Sequence, residues 1–244
     1  MATPGSNLPS AVVLALGIAM AGWFTGSGFI KARTTDRAVT VKGISERDAR
    51  ANIAIWPLRV TAADDDLAAA QARLQRSIGE INGFLQRQGL GEGAARAEAF
   101  SVSDAHANQY GGDTRGSRFV ITQTLIVRST EPEKVRAAAE KVSELVAAGV
   151  VLSSGEQYGG GGPTYVFTGL NELKPAMIAD ATARAREAAE QFAKDSGSAL
   201  GGIRRANQGV FEILPRDQAP GMSEGNQIDK TVRVVATVEY RLEH

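Results

Sequence analysis

The most suggestive chemical motif in the sequence is a run of four glycines followed by proline, GGGGP at residues 159–163. A phosphate-binding loop needs a Gly-Lys-Ser/Thr ending directly before a helix, so that backbone N–H groups cradle the phosphates. This run lacks that ending, and the residues after it do not begin a helix. We therefore interpret it as a flexible turn and not as a nucleotide site.

Three consecutive acids, Asp64, Asp65 and Asp66, invite comparison with a metal-binding loop. A calcium loop spaces its acids at alternate positions around a glycine, and that pattern is missing. Acids in a first helical turn suit the positive end of the helix dipole, so helix capping is the preferred interpretation. His106 has no nucleophile partner in a sequence motif, and we expect it to be solvated. The sequence thus predicts no catalytic residue, no cofactor and no metal, and hence a protein that is not an enzyme.

Four further residues are possible interaction sites. Trp56 and Pro57 form the most unusual apolar pair of the chain, for which core packing or a subunit contact is favoured over a ligand platform. Proline removes a backbone donor, which suggests a sheet edge or a bulge at that point. Arg204 and Arg205 are adjacent, so on a strand they point to opposite faces and do not form a phosphate clamp. We interpret them as solvated or inter-subunit charges.

Composition excludes several classes of function. The chain has no cysteine, which removes disulfides, thiolate metal sites and cysteine nucleophiles together. Acidic and basic residues balance at 27 each, so no net field recruits nucleic acid. Two histidines are too few for a histidine-rich metal site.

The N-terminal part is apolar and carries no charge before Lys31. After a short tail at residues 1–7, the segment 8–30 is long enough for the roughly 20 residues that span a bilayer as a helix. A polar linker at residues 31–37 follows. The segment predicts a retained transmembrane anchor, although the Ala-Met-Ala pattern at residues 19–21 leaves a cleavable signal open. The predicted membrane-anchoring side chains are Leu14, Leu16, Trp23, Phe24 and Phe29.

The remainder of the chain shows two halves with the same order: strand, helix, strand, long loop, strand. They cover about residues 49–129 and 150–242. In the first half, apolar residues at helical spacing follow the three acids and stop at Gly89. A further helix is expected after Thr130 as its cap, with Pro132 in its first turn. The order predicts an α+β fold with a possible internal duplication.

Extended phrases of the chain resemble the SIMPL-domain family, long described as of unknown function. The phrases are DRAVTVKGISERDARANIAIWPL, YVFTGLNELKPAMIADATARAREAAEQFAKDSGS, GGIRRANQGVFEI and VRVVATVEYRL. The resemblance implies one α+β domain over residues 38–244, built from two β-α-β-β halves. It also implies a bacterial cell-envelope location, large ring-like homo-oligomers in some relatives and a link to oxidative-stress tolerance. It brings no catalytic residues.

These observations together predict a membrane-anchored envelope protein that self-associates into a large homo-oligomer and acts as a non-enzymatic scaffold. The predicted location is the inner membrane, single-pass, with the bulk of the chain in the periplasm. Two alternatives stay open. The chain could be released to the periplasm after signal cleavage, or its bulk could lie in the cytoplasm, the side that the basic residues of the segment 31–37 favour. The alternative functions are an adaptor that binds a partner protein through an exposed strand edge near Trp56 and Pro57, and an unrecognised ligand-binding or hydrolase domain. No nucleic-acid partner is expected.

Overall fold

The computed structural model describes residues 8–34, 37–91, 93–107, 116–153 and 162–243. The chain is α+β, as the order of elements predicts. Its helices are α1 (Leu8–Thr34), α2 (Leu67–Arg87), α3 (Pro132–Glu140), α4 (Ser143–Ala147) and α5 (Leu170–Asp195). Its strands are β1 (Ala38–Arg50), β2 (Ile53–Asp64), β3 (Ala95–Asp104), β4 (Phe119–Ser129), β5 (Thr164–Val166), β6 (Ala199–Gln208), β7 (Glu212–Pro215) and β8 (Asp229–Glu243).

The predicted single-pass inner-membrane anchor is wrong. Within the described residues, no helix combines the length and the apolarity that a membrane crossing needs. Side chains of α1 are described over residues 12–25. The side chain of Phe29 lies outside this part. The other four residues assigned to the anchor are exposed: Leu14, Leu16, Trp23 and Phe24.

The chain divides into two compact units. Unit 1 contains residues 1–45, 178–210 and 235–244, and unit 2 contains residues 46–177 and 211–234. These units do not coincide with the two successive halves of the sequence, because each unit gathers residues from distant parts of the chain.

Unit 2 is built on a four-stranded sheet in the order β3-β4-β2-β5. The β2–β4 pair is antiparallel and runs without a register shift from Ala54 opposite Ser129 to Asp64 opposite Phe119. Alternate residues of β2 are buried, and α2 packs over β2 and β4. The core between helix and sheet includes Trp56, Leu58, Val60, Leu74, Ile81, Phe84 and Leu125.

The start and the end of α2 lie where the sequence predicts them. Asp66 is the N-cap residue, and its carboxylate accepts a hydrogen bond from the Ala69 N–H at 2.8 Å. Past the C-terminus, Gly89 adopts φ +75°, a left-handed conformation that suits glycine. Capping, and not metal binding, therefore accounts for the third of the three acids.

Replacement of Asp66 by alanine should lower the free energy of unfolding by about 0.5–2 kcal/mol, because one N–H of the first turn loses its acceptor. Asp66→Asn is the matched control: it keeps an acceptor oxygen and should stay within a few tenths of a kcal/mol of the wild type. Urea unfolding of both variants measures the difference. Equal losses in the two variants would show that the cap hydrogen bond contributes little.

In unit 1, the C-terminal half of α5 packs on strand residues through small side chains. Ala181, Ala185 and Ala189 are fully buried. Two of these alanines, Ala185 and Ala189, form a small core with strand residues. The strand residues are Val41, Val238 and Tyr240. Phe192 of the same helix lies outside this packed side, since its ring is 58% exposed. The run of alanines allows a closer approach of helix and strand than larger side chains would permit.

The second sheet has the order β1-β8-β6, with β7 paired to β8. In unit 2 the helix α2 is followed by β3 and β4, and the strands lie in the order β2-β4-β3. The second sheet repeats this arrangement: β1 corresponds to β2, α5 to α2, β6 to β3 and β8 to β4. The sequence assigned the first strand of the second half to residues after 150, but this material forms the three-residue β5, which pairs with β2.

Two predicted elements are divided in the structure. The helix expected after Thr130 forms α3 and α4, with Glu131 and not Thr130 at the N-cap of α3. The strand expected over GGIRRANQGVFEI forms β6 and β7, which are separated by residues 209–211. In both cases the predicted type of secondary structure, helix or strand, is present on either side of the break.

Candidate functional site

The outer strand of the unit 2 sheet, β3, is its most accessible edge. It has ten residues, pairs with β4 alone among the described strands, and is exposed on both faces except at its two ends. Phe100 is 53% exposed and Val102 is 46% exposed. We call the strand Ala95–Asp104 the β3 edge. A long unprotected edge with apolar side chains is a template for pairing with another strand.

The register of the β3 edge explains why its apolar residues are uncovered. Phe100 lies opposite Gln123, and Val102 lies opposite Ile121, so both share the face of β4 that is buried. The helix α2 packs over β2 and β4, and that apolar face therefore continues onto β3 beyond the helix. A register shift between Ala97 and Phe100 bends the strand there.

An ion pair fixes the end of the β3 edge. The Arg118 Nη2 lies 3.1 Å from the Asp104 Oδ2, and the backbone N–H of Arg118 donates to the Asp65 carboxylate at 3.0 Å. The hydrogen bond from Arg118, followed by one from the His106 N–H, lowers the pKa of Asp104 below its usual value. Because the pKa of Asp104 is lowered in the folded chain, the ion pair stabilises the fold at neutral pH. This stabilisation is lost as the pH falls through that pKa.

The second sheet has an exposed outer strand of its own. β6 pairs with β8, and Gly202–Gln208 are exposed. Ile203 is 54% exposed. The guanidinium of Arg204 lies 3.4 Å from the Glu239 carboxylate, and Arg205 is exposed opposite Glu239 in the register. We call the strand Ala199–Gln208 the β6 edge; it holds both arginines that the sequence singled out as interaction residues.

The structure places Trp56 and Pro57 inside the sheet. Trp56 is 1% exposed and belongs to the core of unit 2, as the core-packing interpretation predicts. The bulge expected at Pro57 is wrong, because the register of β2 with β4 continues through Pro57 opposite Ile126. On the other side of β2, Pro57 has no partner in β5, which leaves the expected edge as a local feature of this strand. β5 covers β2 from Ile53 to Ile55, so Pro57 lies past the end of that pairing.

The residues with possible chemistry are not brought together. Each acid of the triplet has its own structural contact: Asp64 pairs with Arg73 at 2.9 Å, Asp65 accepts from the Arg118 N–H, and Asp66 caps α2. His106 is exposed, as predicted. In the glycine run, residues 159–161 lie outside the described part, and the residues that follow form β5.

The sequence did not mark the β3 edge as a surface site. Its phrase AFSVSD alternates apolar and small polar residues, which is the pattern of a strand with one covered face. Periodicity predicts that Phe100 and Val102 share a face, and it does not show whether a helix covers them. The absence of proline from β3 is the signal in the sequence that agrees with an unprotected edge.

Comparisons with known proteins place these features in a family context. The profile of a family described as "SIMPL: Protein of unknown function (DUF541)" matches residues 39–240. No curated protein matches the chain. Among solved structures, it is similar to the crystal structure of an uncharacterized conserved protein from Listeria innocua, with 13% identity, covering 78% of this chain and 91% of that chain, at a TM-score of 0.20. A TM-score this low supports no argument about fold or function.

Proposed function

We propose, from the premise that this chain belongs to the SIMPL family, that it acts as a non-enzymatic assembly protein whose copies associate through their exposed sheet edges. The observation that carries the proposal is the β3 edge, which is ten residues long, paired on one side and exposed with Phe100 and Val102 on one face. Pairing with a strand of a second copy covers that apolar face and satisfies the outward N–H and C=O groups.

A second copy is the partner that fits best, because the chain presents an exposed outer strand in each of its sheets. The β3 edge and the β6 edge are both ten residues long and both carry a large exposed apolar side chain. A chain with two different edges can bind two neighbours in a head-to-tail manner, which gives closed rings when the rotation closes. The two edges therefore support self-association as the proposed function.

The alternative adaptor hypothesis has little support at Trp56 and Pro57. Trp56 is buried and Pro57 is half-buried, so this pair offers a partner less exposed surface than the β3 edge does. A different protein that adds a strand to the β3 edge would be recognised by the same backbone groups. Binding of such a protein at the β3 edge is therefore an alternative outcome of the experiment described next.

The full chain should elute at micromolar concentration with a mass several times the 25.7 kDa of one copy, as measured by size-exclusion chromatography with light scattering. Val102→Lys should weaken this association about tenfold or more, because pairing would bury an ammonium group on the apolar face. The readout is the protein concentration at which the assembly dissociates.

Val146→Lys is the matched control for this experiment. Val146 is 60% exposed and lies on α4, which is part of neither edge, so the same change in charge should leave the mass unchanged. A wild-type chain that is monomeric at micromolar concentration would contradict the proposal. Equal loss of assembly in both variants would place the contact elsewhere.

A further inference from the structure

A cavity in unit 2 lies apart from the β3 edge. Its volume is about 650 Å³, and it is lined by residues of β2, α2 and the segment 148–151 after α4. Cavities of roughly 300–1,000 Å³ are the size that holds small-molecule ligands. The cavity therefore has the capacity of a binding site that the self-association does not use.

One wall of the cavity carries two guanidinium groups. Arg73, Arg76 and Ser77 all line it, and their spacing of three and four residues puts them on one face of α2. The Asp64 carboxylate lies 2.9 Å from one nitrogen of Arg73, which orients that side chain and leaves its other N–H groups available. Arg76 forms no ion pair with any residue in the described part of the chain.

The strand and loop residues of the lining are mainly apolar, and the helix also contributes an acid. Ala62 and Val150 line the cavity and are 7% and 2% exposed. Glu80 lies one helical turn after Arg76 on the same lining. A fitting ligand has an oxyanion next to the arginines, an apolar body against the alanine and valine, and a hydrogen-bond donor towards the glutamate.

We propose that this cavity binds a small molecule with an oxyanion, a carboxylate or a phosphate, held between Arg73 and Arg76. The planar guanidinium group presents parallel N–H donors that match the two oxygens of either anion. The hydroxyl of Ser77 supplies a third donor on the same face. Arg76 is the specificity-determining residue, because its charge is not already paired by a carboxylate of the described chain.

Isothermal titration of the full chain with inorganic phosphate and, separately, with acetate tests the site. Saturable binding of at least one of the two is expected, and the tighter one identifies the class of oxyanion. Arg76→Gln should weaken that binding by about tenfold to a hundredfold, which is the effect of one charge-assisted hydrogen bond. Arg76 is exposed, so the variant should fold, and circular dichroism verifies this.

Arg87→Gln is the matched control, since it removes the same charge from the same helix outside the lining of the cavity. Its affinity should equal that of the wild type. Lack of saturable binding of either anion at millimolar concentration overturns the proposal, and so does equal weakening by the two variants. Titration with chloride at matched ionic strength should show no saturation; saturation would reveal non-specific anion binding and overturn it as well. Assembly of the chain is measured separately, so failure here leaves the proposed self-association unaffected.

Discussion

Replacement of Gly43 by alanine should destabilise unit 1 by about 3 kcal/mol or more, one of the two largest effects expected for a single substitution in this chain. Gly43 lies in β1 and is buried against α5. A Cβ atom at this position would overlap the backbone oxygen of Ala181 and lie 2.5 Å from the backbone nitrogen of Ala185. Backbone atoms of a helix cannot rotate away as a side chain can, so helix and strand would have to separate.

That separation would remove other contacts between the same elements. The hydroxyl of Ser45, two residues along β1, donates to the Asp180 carboxylate at 2.7 Å and is fully buried. Val41 packs against Ala185 and Ala189 on the same side. Displacement of α5 weakens this hydrogen bond and this packing together, which is why the expected loss exceeds the strain of one methyl group.

Gly79→Ala provides the matched control. Gly79 lies inside α2, and a Cβ there would meet nothing within 4 Å. The same substitution should therefore stabilise the chain by about 0.5–1 kcal/mol, because alanine favours the helix and glycine does not. Hydrogen exchange of the α5 amides, combined with urea unfolding, measures both effects. Unchanged protection of α5 in Gly43→Ala would refute the close approach of helix and strand.

Lys230→Met should cost about 2–4 kcal/mol of unfolding free energy. Lys230 lies in β8, and its side chain is fully buried. Its ammonium group donates to the Tyr165 carbonyl oxygen at 2.9 Å, lies 2.6 Å from the Glu224 Oε1, and also donates to the Glu224 carbonyl oxygen. One cation thus connects β8 with β5 and with the turn at residues 224–226.

The substitution keeps the volume and removes every donor. Tyr165 O loses a charged partner in a buried site, which is the expensive part of the change. The Glu224 side chain is 39% exposed, so its carboxylate can return to water. For that reason the expected loss is smaller than that of a broken ion pair in which both partners are fully buried.

A surface lysine makes the comparison quantitative. The Lys134 Nζ lies 2.7 Å from the Glu131 Oε1, but its side chain is 47% exposed. Lys134→Met should change the free energy of unfolding by no more than about 0.5 kcal/mol, because exposed ion pairs contribute little. Thermal and urea unfolding of both variants should separate them clearly. If both lysines matter equally, burial is not what makes the Lys230 contacts stabilising.

Local structure was predictable where one element carries its own signal. The apolar spacing of α2, its cap at Asp66 and its stop at Gly89 all follow from properties of adjacent residues. The alternating pattern of the last strand is present as alternate burial in β8. The burial of Trp56 likewise follows from a large apolar side chain in an apolar strand, without knowledge of its neighbours.

The candidate site was less predictable, because exposure is a property of neighbours. The sequence suggested a sheet edge or a bulge at Pro57, but the register of β2 with β4 continues through this residue without a bulge. Phe100 and Val102 alternate as core residues do, yet both are exposed. The reason is that α2 packs on β2 and β4 and does not extend over β3. Arg76 gives no signal in the sequence, and its interest arises from a cavity formed by three separate segments.

The sequence by itself determined the α+β class, the limits of the main helix of unit 2 and the family, because these depend on short-range periodicity, capping and extended phrases of residues. Tertiary structure alone decided which strands pair. It joined β1 with β8 from the other end of the chain, assigned the predicted strand after residue 150 to the first sheet as β5, and left β3 and β6 as open edges. The physical reason is that a strand satisfies its backbone donors and acceptors through a partner distant in sequence, and a local pattern specifies the face a strand buries but not the strand that binds beside it.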